Sequence, residues 1–374
     1  MSYGGPISST WGLSNKLSEK GVQVYVSTTN ANGKERLKDV ETNKHAKISD
    51  NLWIRYYHEE IINTFSFSFL FNVWKDIKRS NIIYVQYLFN YTVIISLFYA
   101  FLLRRKVIMC ARGSFSHMTF TRRKILKHLW ILLCIRPFYK IINWHASSFL
   151  EKQDIIRFFP NANVTILPDG VDTDSFNIPT LGLSNKELIK KYTGKDFDVV
   201  DDVIFSMGRL HYIKRFDILI DAFRIFLIQN QNAKLMIAGE DDGCKDDIVD
   251  QISLLNLEDS VFLIGEVNHA EKTEILKNCT VFSLCSSFES FGIVIIEALA
   301  CGCPVVVSNK TAWIDIEKNK CGIFVNNTKE DFCLAFNNIK SQDINAKRCQ
   351  DYVRNNFDWE VVSGKFMELI KNNI

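Results

Sequence analysis

Six short apolar runs recur between Val203 and Val325: VIFSM (203–207), KLMIAG (234–239), VFLIG (261–265), VFSLC (281–285), PVVVS (304–308) and GIFV (322–325). A run that is apolar on both pleats must be covered on both faces. A parallel sheet between two helix layers does this for successive strands. The spacing therefore predicts a doubly wound α/β unit of six strands, with helices at 215–229, 245–255, 270–278, 292–301 and 311–318.

The same order of helix, glycine and strand appears earlier, in STWGLSNKLSEKGVQVYVST, and strand-like runs follow at 82–86, 107–110, 142–146 and 164–167. Residues 168–200 have mixed polarity, with Pro168 and Pro179, and read as the crossover between two α/β domains. The expected domains are 1–178 and 179–357, and the tail DWEVVSGKFMELIKNNI is a final amphipathic helix. With 47% hydrophobic and 23% charged residues, the chain is neither disordered nor low in complexity.

Residues 82–103, IIYVQYLFNYTVIISLFYAFLL, run 22 positions without a charge, long enough to span a bilayer. KVIMCARG follows at once as another strand, so the preferred reading is a buried strand, a turn at Asn90 and an apolar helix. The ten cysteines include no C-x-x-C, and several lie in apolar runs, which predicts a reduced interior. The first residues carry no apolar signal core, so the expected location is cytoplasmic.

The net charge of +3 conceals a segregation: residues 100–160 carry +10 and the remainder −7. Within that stretch, TRRKILKHLWILLCIRPFYKII (121–142) mixes cations with Leu, Ile, Trp and Phe, the composition of a helix lying in a membrane interface. Peripheral contact with an anionic membrane, at the inner face of the plasma membrane, is the expectation. No nucleic-acid motif is present, so no nucleic-acid partner is expected.

Neither G-x-G-x-x-G after a strand nor G-x-x-x-x-G-K-[ST] occurs, which removes the main support for dehydrogenases and P-loop enzymes. No zinc motif occurs, and Asp172-Thr-Asp174, after a Pro-Asp-Gly turn, reads as turn caps, so no metal is expected. What does carry chemistry is VIFSMGRLHYIK, which puts Gly208 and Arg209 at the carboxyl end of a strand and Lys214 five residues after Arg209. Ligands of open α/β sheets bind at that end, and an Arg–Lys pair suits a diphosphate. Two surface cations on a loop would look the same.

A second cluster, VFSLCSSFESFGIVIIEALACGCPVVVS, places Glu289 in a loop, Phe291-Gly292-Ile293 at a helix start and Glu297 within the helix. Free amides at that helix start suit phosphate or sugar oxygens, and the carboxylates suit vicinal hydroxyls. As structural groups, Glu289 could serve the helix dipole and Glu297 could be a locally paired buried charge.

These residues resemble the retaining glycosyltransferases of the GT-B fold, family 4, also called glycosyl transferases group 1. The E-x7-E pattern of that family with its central F-G is matched by Glu289, Phe291, Gly292 and Glu297, and its G-R-L…K by Gly208, Arg209 and Lys214. Its N-terminal glycine loop is matched by Tyr3-Gly4-Gly5-Pro6, and ARG (111–113), HASSFLEK (145–152) and LPDGVD (167–172) follow in order.

The resemblance implies two Rossmann-like doubly wound domains facing a cleft: an acceptor-binding N-terminal domain, to which residues 358–374 return, and a C-terminal nucleotide-sugar domain. It implies catalytic roles for Arg209, Lys214 and Glu289, and donor binding by Gly4, Gly5, Gly208, Phe291, Gly292, Ile293 and Glu297. In those roles Arg209 and Lys214 neutralise the leaving diphosphate, Glu297 binds the ribose and Glu289 the transferred sugar. The implied reaction moves a hexose from a nucleotide sugar to a saccharide or lipid-linked acceptor in lipopolysaccharide, capsule or exopolysaccharide synthesis, without a metal or other cofactor. UDP-sugar is the default donor and GDP-mannose its rival.

The sequence departs from the family twice. The strand expected before the glycine loop is missing, since Met1 stands directly before Ser2-Tyr3-Gly4, so an N-terminally extended chain is expected to be more stable. Where relatives often carry His-x-His-Gly, this chain has Tyr84, Gln86 and Tyr87. The alternatives are a catalytically impaired GT-B scaffold that binds a nucleotide sugar or a partner, a glycoside hydrolase and a sugar-nucleotide epimerase.

Overall fold

The computed structural model describes residues 5–33, 35–61, 65–121, 123–179 and 182–373. The chain divides into two compact units, Met1–Gly170 with Trp359–Ile374, and Val171–Asp358. Local hydrogen bonds explain why the division falls before residue 178. Val171 N donates to Phe357 O at 2.9 Å and Thr173 N to Asp358 Oδ2 at 3.2 Å, so the segment after Gly170 is tied to the C-terminal unit.

Unit 1 begins with helix α1 (Gly5–Glu19), strand β1 (Val24–Thr29) and a two-residue hairpin, β2 (Ala31–Asn32) and β3 (Glu35–Arg36). Strands β4 (His45–Ser49) and β5 (Leu52–Tyr57) follow, then α2 (Phe67–Arg79), β6 (Ile82–Gln86), α3 (Tyr91–Leu102) and β7 (Lys106–Cys110). Two short helices, α4 (His117–Thr121) and α5 (Lys124–Trp130), lead to β8 (Ile142–Ala146), α6 (Phe149–Phe158) and β9 (Val164–Ile166). The strands form one sheet in the order β1-β5-β4 and another, all parallel, in the order β6-β7-β8-β9.

The uncharged run at 82–103 is therefore a strand, a turn and a 12-residue helix whose start Asn90 caps by accepting from Thr92 N. Among the described residues no helix is long and apolar enough to cross a membrane. The basic stretch 121–142 is not the single helix its composition predicts. After α5 it passes into a π-helical turn over Ile131–Ile135 and a 3-10 turn over Arg136–Ile141, where Pro137 withholds a backbone donor.

Unit 2 runs α7 (Asn185–Thr193), β10 (Val203–Met207), α8 (Phe216–Leu227), β11 (Lys234–Ala238), α9 (Lys245–Leu254), β12 (Val261–Gly265) and α10 (His269–Asn278). It continues with β13 (Val281–Leu284), α11 (Ile293–Ala300), β14 (Val305–Ser308), β15 (Gly322–Val325), α12 (Lys329–Asn338) and α13 (Ala346–Phe357). All six strands are parallel, in the order β12-β11-β10-β13-β14-β15. Capping boxes at Ser184–Glu187 and Asn268–Glu271 start α7 and α10 by satisfying their first free amides. The sheet lies between two apolar layers, one holding Phe205, Phe282 and Ile296 and the other Ile204, Phe223 and Val306.

One expected helix is absent: 311–318 is a series of turns. Trp313 anchors there, its Nε1 donating to Phe291 O at 2.6 Å, and Ile316 is buried. The last helix, α14 (Trp359–Lys371), belongs to unit 1, as the family resemblance implies, and packs on α1. The two helices meet so closely at Gly12 that a Cβ there would lie 2.2 Å from Trp359 Nε1. An ion pair between Lys20 and Glu360 closes the same contact.

Candidate functional site

In unit 2 the expected residues gather at the carboxyl ends of β10 and β13. Gly208 follows β10, and its missing side chain makes room for Lys214, whose Cε would be 3.0 Å from a Cβ at that position. Lys214 ends a 3-10 turn (Tyr212–Lys214) that His211 caps by accepting from Ile213 N. From there its Nζ reaches Glu289 in the loop after β13, and both side chains are largely buried. Ser286 Oγ donates to the same Glu289 oxygen, Oε1, at 2.8 Å. Ser287 N, bonded to Ile213 O at 2.8 Å, ties this loop to the Lys214 turn.

Gly292 stands just before α11 in the left-handed region (φ +86°), which favours glycine, and the bond from Trp313 to Phe291 O fixes the backbone just before it. The helix therefore starts abruptly, and the amides of Ile293 and Val294 lie in its first turn, where no intrahelical acceptor exists. One turn further, Glu297 Oε1 lies 2.6 Å from Lys272 Nζ on α10.

The structure thus joins Gly208, Lys214 and Glu289, places Phe291, Gly292 and Ile293 at one helix start, and gives Glu297 its own cation. Arg209 is separated from them: its side chain is 66% exposed and its Nη1 pairs with Asp242 at 2.5 Å. Gly4 lies outside the described residues, and Gly5 opens α1 in the other unit.

Sequence reasoning missed Ser286, Lys272 and Asp242. Asp242 follows the carboxyl end of β11, the neighbour of β10, and was findable from topology; Lys272 sits in no motif. Asp172 is a turn cap that accepts from Asp174 N. Among the described residues no group of three or more His, Cys, Asp or Glu could hold a metal ion. A groove of about 850 Å³ along β15 and α12, lined by Asn309, Phe324 and Asp331 among others, includes neither lysine–glutamate pair.

In unit 1 the motifs at 111–113, 145–152 and 167–172 converge. Arg112 Nη1 contacts both oxygens of Asp169 at 2.6 Å, and Arg112 Nε donates to Gln86 Oε1 at 3.1 Å. Burial is the largest single influence and works against the Arg112 charge, but Asp169 together with Cys110 and Tyr84 raises the pKa overall. Glu151 is buried and accepts from Gly113 N, Ser147 N and Ser147 Oγ, each at 2.7 Å. The positions that carry histidines in the resembled family are built into this network. Gln86 Nε2 bonds Thr10 Oγ1 at 2.7 Å, and Tyr84 Oη lies 3.0 Å from His145 Nδ1.

The profile of the family described as "Glycosyl transferases group 1" matches residues 193–356. An uncharacterised glycosyltransferase of Methanocaldococcus jannaschii is 33% identical over 46% of this chain and 44% of its own length. The Campylobacter jejuni N-acetylgalactosamine-N,N'-diacetylbacillosaminyl-diphospho-undecaprenol 4-alpha-N-acetylgalactosaminyltransferase is 30% identical over 47% of this chain and 49% of its own. The GDP-mannose:cellobiosyl-diphosphopolyprenol alpha-mannosyltransferase of Komagataeibacter xylinus is 22% identical over 71% of this chain and 65% of its own. In the first two of these relatives the matched region is about half of their length.

Among solved structures, sucrose-phosphate synthase of Thermosynechococcus elongatus matches with TM-score 0.72 and 15% identity over 99% of this chain and 93% of its own. Anabaena HepE in complex with UDP and glucose matches with TM-score 0.67 and 17% identity over 86% of each chain. These likenesses establish the two-domain GT-B fold.

Proposed function

We propose that this GT-B chain, whose residues 193–356 belong to glycosyl transferases group 1, moves a hexose-type sugar from a nucleotide sugar to a saccharide or lipid-linked acceptor with retention of anomeric configuration. The observation that carries this reading is the Lys214–Glu289 pair, held by Gly208 and Ser286 at the carboxyl ends of β10 and β13. Unit 2 receives the donor. Lys214 faces the diphosphate, Arg209 joins it by leaving its exposed pair with Asp242, the first-turn amides of α11 take phosphate or sugar oxygens, and Glu297, oriented by Lys272, accepts from ribose hydroxyls. Glu289 holds Lys214 in place and accepts from a hydroxyl of the transferred sugar.

In the reaction the bond from the sugar C1 to the diphosphate oxygen breaks, and the diphosphate leaves with the electron pair. The acceptor hydroxyl oxygen bonds to C1 on the same face and gives its proton to the departing phosphate. Lys214 and Arg209 act on the charge that grows at the leaving group, where fixed cations are worth most. No metal or other cofactor enters this scheme.

UDP-sugar is the proposed donor, with GDP-mannose its rival, and cell-surface polysaccharide assembly the proposed setting. Relatives support an acceptor of this class: the names of two contain a diphospho-undecaprenol and a diphosphopolyprenol. Incubation with UDP-glucose, UDP-N-acetylglucosamine, UDP-N-acetylgalactosamine and GDP-mannose, following nucleotide release with and without a polyprenyl-diphosphate saccharide, tests the reading. Acceptor-dependent release from one donor supports it; tight binding of a donor without release assigns the chain to a binding scaffold.

Unit 1 also offers the surface for a membrane-borne acceptor. Ile125 (77% exposed), Leu126, Leu132 and Leu133 (66%) stand out to solvent beside the exposed Arg123, Lys124, Arg136 and Lys140. Phe138, 5.9 Å from Phe101, continues this face to the exposed Phe98 and Leu102 of α3. Apolar residues among cations are the pattern of an interfacial segment, and each cation near an anionic leaflet contributes about 1 kcal/mol. Flotation with vesicles containing phosphatidylglycerol, and loss of flotation in high salt, is the expected result at the inner face of the plasma membrane. Equal flotation with purely zwitterionic vesicles contradicts it.

A further inference from the structure

All ten cysteines of the chain are free thiols, and two of them meet in unit 2, away from the site described above. Cys279 Sγ lies 3.5 Å from Cys303 Sγ. Cys279 caps the carboxyl end of α10, and Cys303 leads from α11 towards β14. Both side chains join the apolar layer that holds Phe282 and Val305. Cys303 keeps only 3% of its surface exposed, whereas Cys279 is partly exposed, so solvent reaches one sulfur of the pair.

Backbone hydrogen bonds hold both cysteines in place before any bond joins them. Cys279 N donates to Ile275 O at 2.8 Å, and Thr280 N to Val203 O at 2.9 Å. On the other side Cys303 N donates to Ala298 O and Phe282 N to Pro304 O, each at 3.0 Å. Gly302 turns the chain before Cys303 at φ +81°, and a Cβ there would lie 2.7 Å from the Cβ of Ala346, so α13 braces the turn. Phe282 pairs with Val305 and Leu284 with Val307. Continued backward, that ladder sets Thr280 opposite Cys303, and Cys279, which is extended, one residue away. Neighbouring strands lie about 4.8 Å apart and rise about 3.3 Å per residue, which puts the two Cα atoms about 6 Å apart, within the range of ordinary disulfides.

We propose that Cys279 and Cys303 are a thiol–disulfide modification site, closed by an oxidant of the peroxide class, whose bridge staples α10 to the turn after α11. Cys279, the accessible sulfur, reacts first. Its thiolate attacks the peroxide, an S–O bond forms as the O–O bond breaks, and the hydroxide that leaves takes up the thiol proton as water. Cys303 then attacks the Cys279 sulfur: the S–S bond forms, the S–O bond breaks, and the hydroxyl departs as water with the Cys303 proton. Two thiols have given up two electrons, and one peroxide has become two waters. Burial, with Cys279 next, pushes the Cys303 thiol well up, which keeps it from competing for the oxidant. Cys321 and Cys349 also approach, with Cys349 Sγ 4.0 Å from Cys321 O, but both are fully buried. The staple sits at the amino ends of β13 and β14, whereas Lys214 and Glu289 stand at the carboxyl ends of β10 and β13. It therefore acts on the stability of unit 2, by closing a loop that the unfolded chain would otherwise leave free. This inference stands apart from the transferase reading, because thiols and midpoints are measured without a donor.

Treatment of the reduced chain with equimolar hydrogen peroxide, followed by non-reducing peptide mapping, tests it. The first bridge should join Cys279 to Cys303, the mass should fall by two hydrogens, and dithiothreitol should restore both thiols. The oxidised chain should melt several degrees above the reduced one in unit 2. In Cys303→Ala, dimedone should trap Cys279 as a sulfenic acid, and neither that variant nor Cys279→Ser should gain stability from peroxide. A first bridge that includes Cys301 or any other cysteine overturns the proposal. So does sulfinic acid at Cys279 beside a free Cys303 thiol, or a chain whose thiols all resist peroxide. An oxidised midpoint equal to or below the reduced one overturns the staple.

Discussion

Lys272 Nζ lies 2.6 Å from Glu297 Oε1, and the two side chains keep only 14% and 15% of their surface exposed. A carboxylate drawn this far from water needs its cation, both to remain tolerable and to point its second oxygen outward. Lys272→Met is therefore expected to weaken donor binding about 10- to 100-fold, equivalent to about 1.4–2.7 kcal/mol. Adding Glu297→Gln should restore the melting midpoint but not the affinity. Calorimetric titration of the donor into the three variants checks this, and full affinity in Lys272→Met would remove Glu297 from the donor site.

Arg209 and Lys214 differ in setting, and their neighbours should differ in consequence. Loss of Lys214 or Arg209 to alanine is expected to cost about 2–4 kcal/mol in the transition state, a fall of roughly 30- to 1,000-fold in turnover, with a far smaller effect on the midpoint. Asp242→Asn should leave turnover within about twofold, because its pair with Arg209 is exposed and screened by solvent. Steady-state rates of folded variants decide the matter. Near-normal turnover in Lys214→Ala would sink the diphosphate assignment.

Gly239 sits after β11 at φ +152°, where a Cβ would lie 1.9 Å from the carbonyl oxygen of Gly208. Neither backbone can yield without disturbing the β10–β11 ladder. Gly239→Ala is expected to destabilise unit 2 by about 3 kcal/mol, lowering its midpoint by roughly 6–12 °C. Thermal denaturation measures it; an unchanged midpoint would contradict the close approach of the two strand ends.

Much of this could be read from the sequence. The six runs of unit 2 became its six parallel strands because a doubly covered strand is apolar on both pleats, and no other element so short has that pattern. Lys214 was legible because it follows Gly208 at a strand end, and Glu289 because it precedes Phe291-Gly292 at a helix start. The pair Lys272–Glu297 was not, because α10 carries no motif and the contact joins residues 25 positions apart. The turns at 311–318 resemble a helix in composition, and only the docking of Trp313 on Phe291 explains why they are not one. The break after α5 was foreshadowed by Pro137 alone.

Unit 1 should lose stability in mild acid. Burial, with the Arg112 charge next, lowers the pKa of His145, and burial also lowers that of His45 despite Asp76 beside it. A folded-state value below the unfolded value of about 6.5 means that the unfolded chain binds more protons as pH falls below about 6.5, so stability is present above that pH and declines beneath it. The unit 1 midpoint is expected to fall between pH 7.5 and 5.5, and His145→Gln should flatten part of that fall. A midpoint that rises over this range would reverse the sign and contradict the burial of His145 and the partial burial of His45.

The central claim is that Lys214, held by Glu289 at the end of β10, drives departure of a nucleoside diphosphate from a sugar. Nucleotide release at saturating donor and acceptor, measured side by side for the native chain and Lys214→Ala, tests it most directly. The account predicts steady, acceptor-dependent release from the native chain and a rate at least 30-fold lower from the folded variant. Equal rates in the two, or no release from any nucleotide sugar by the native chain, would contradict it.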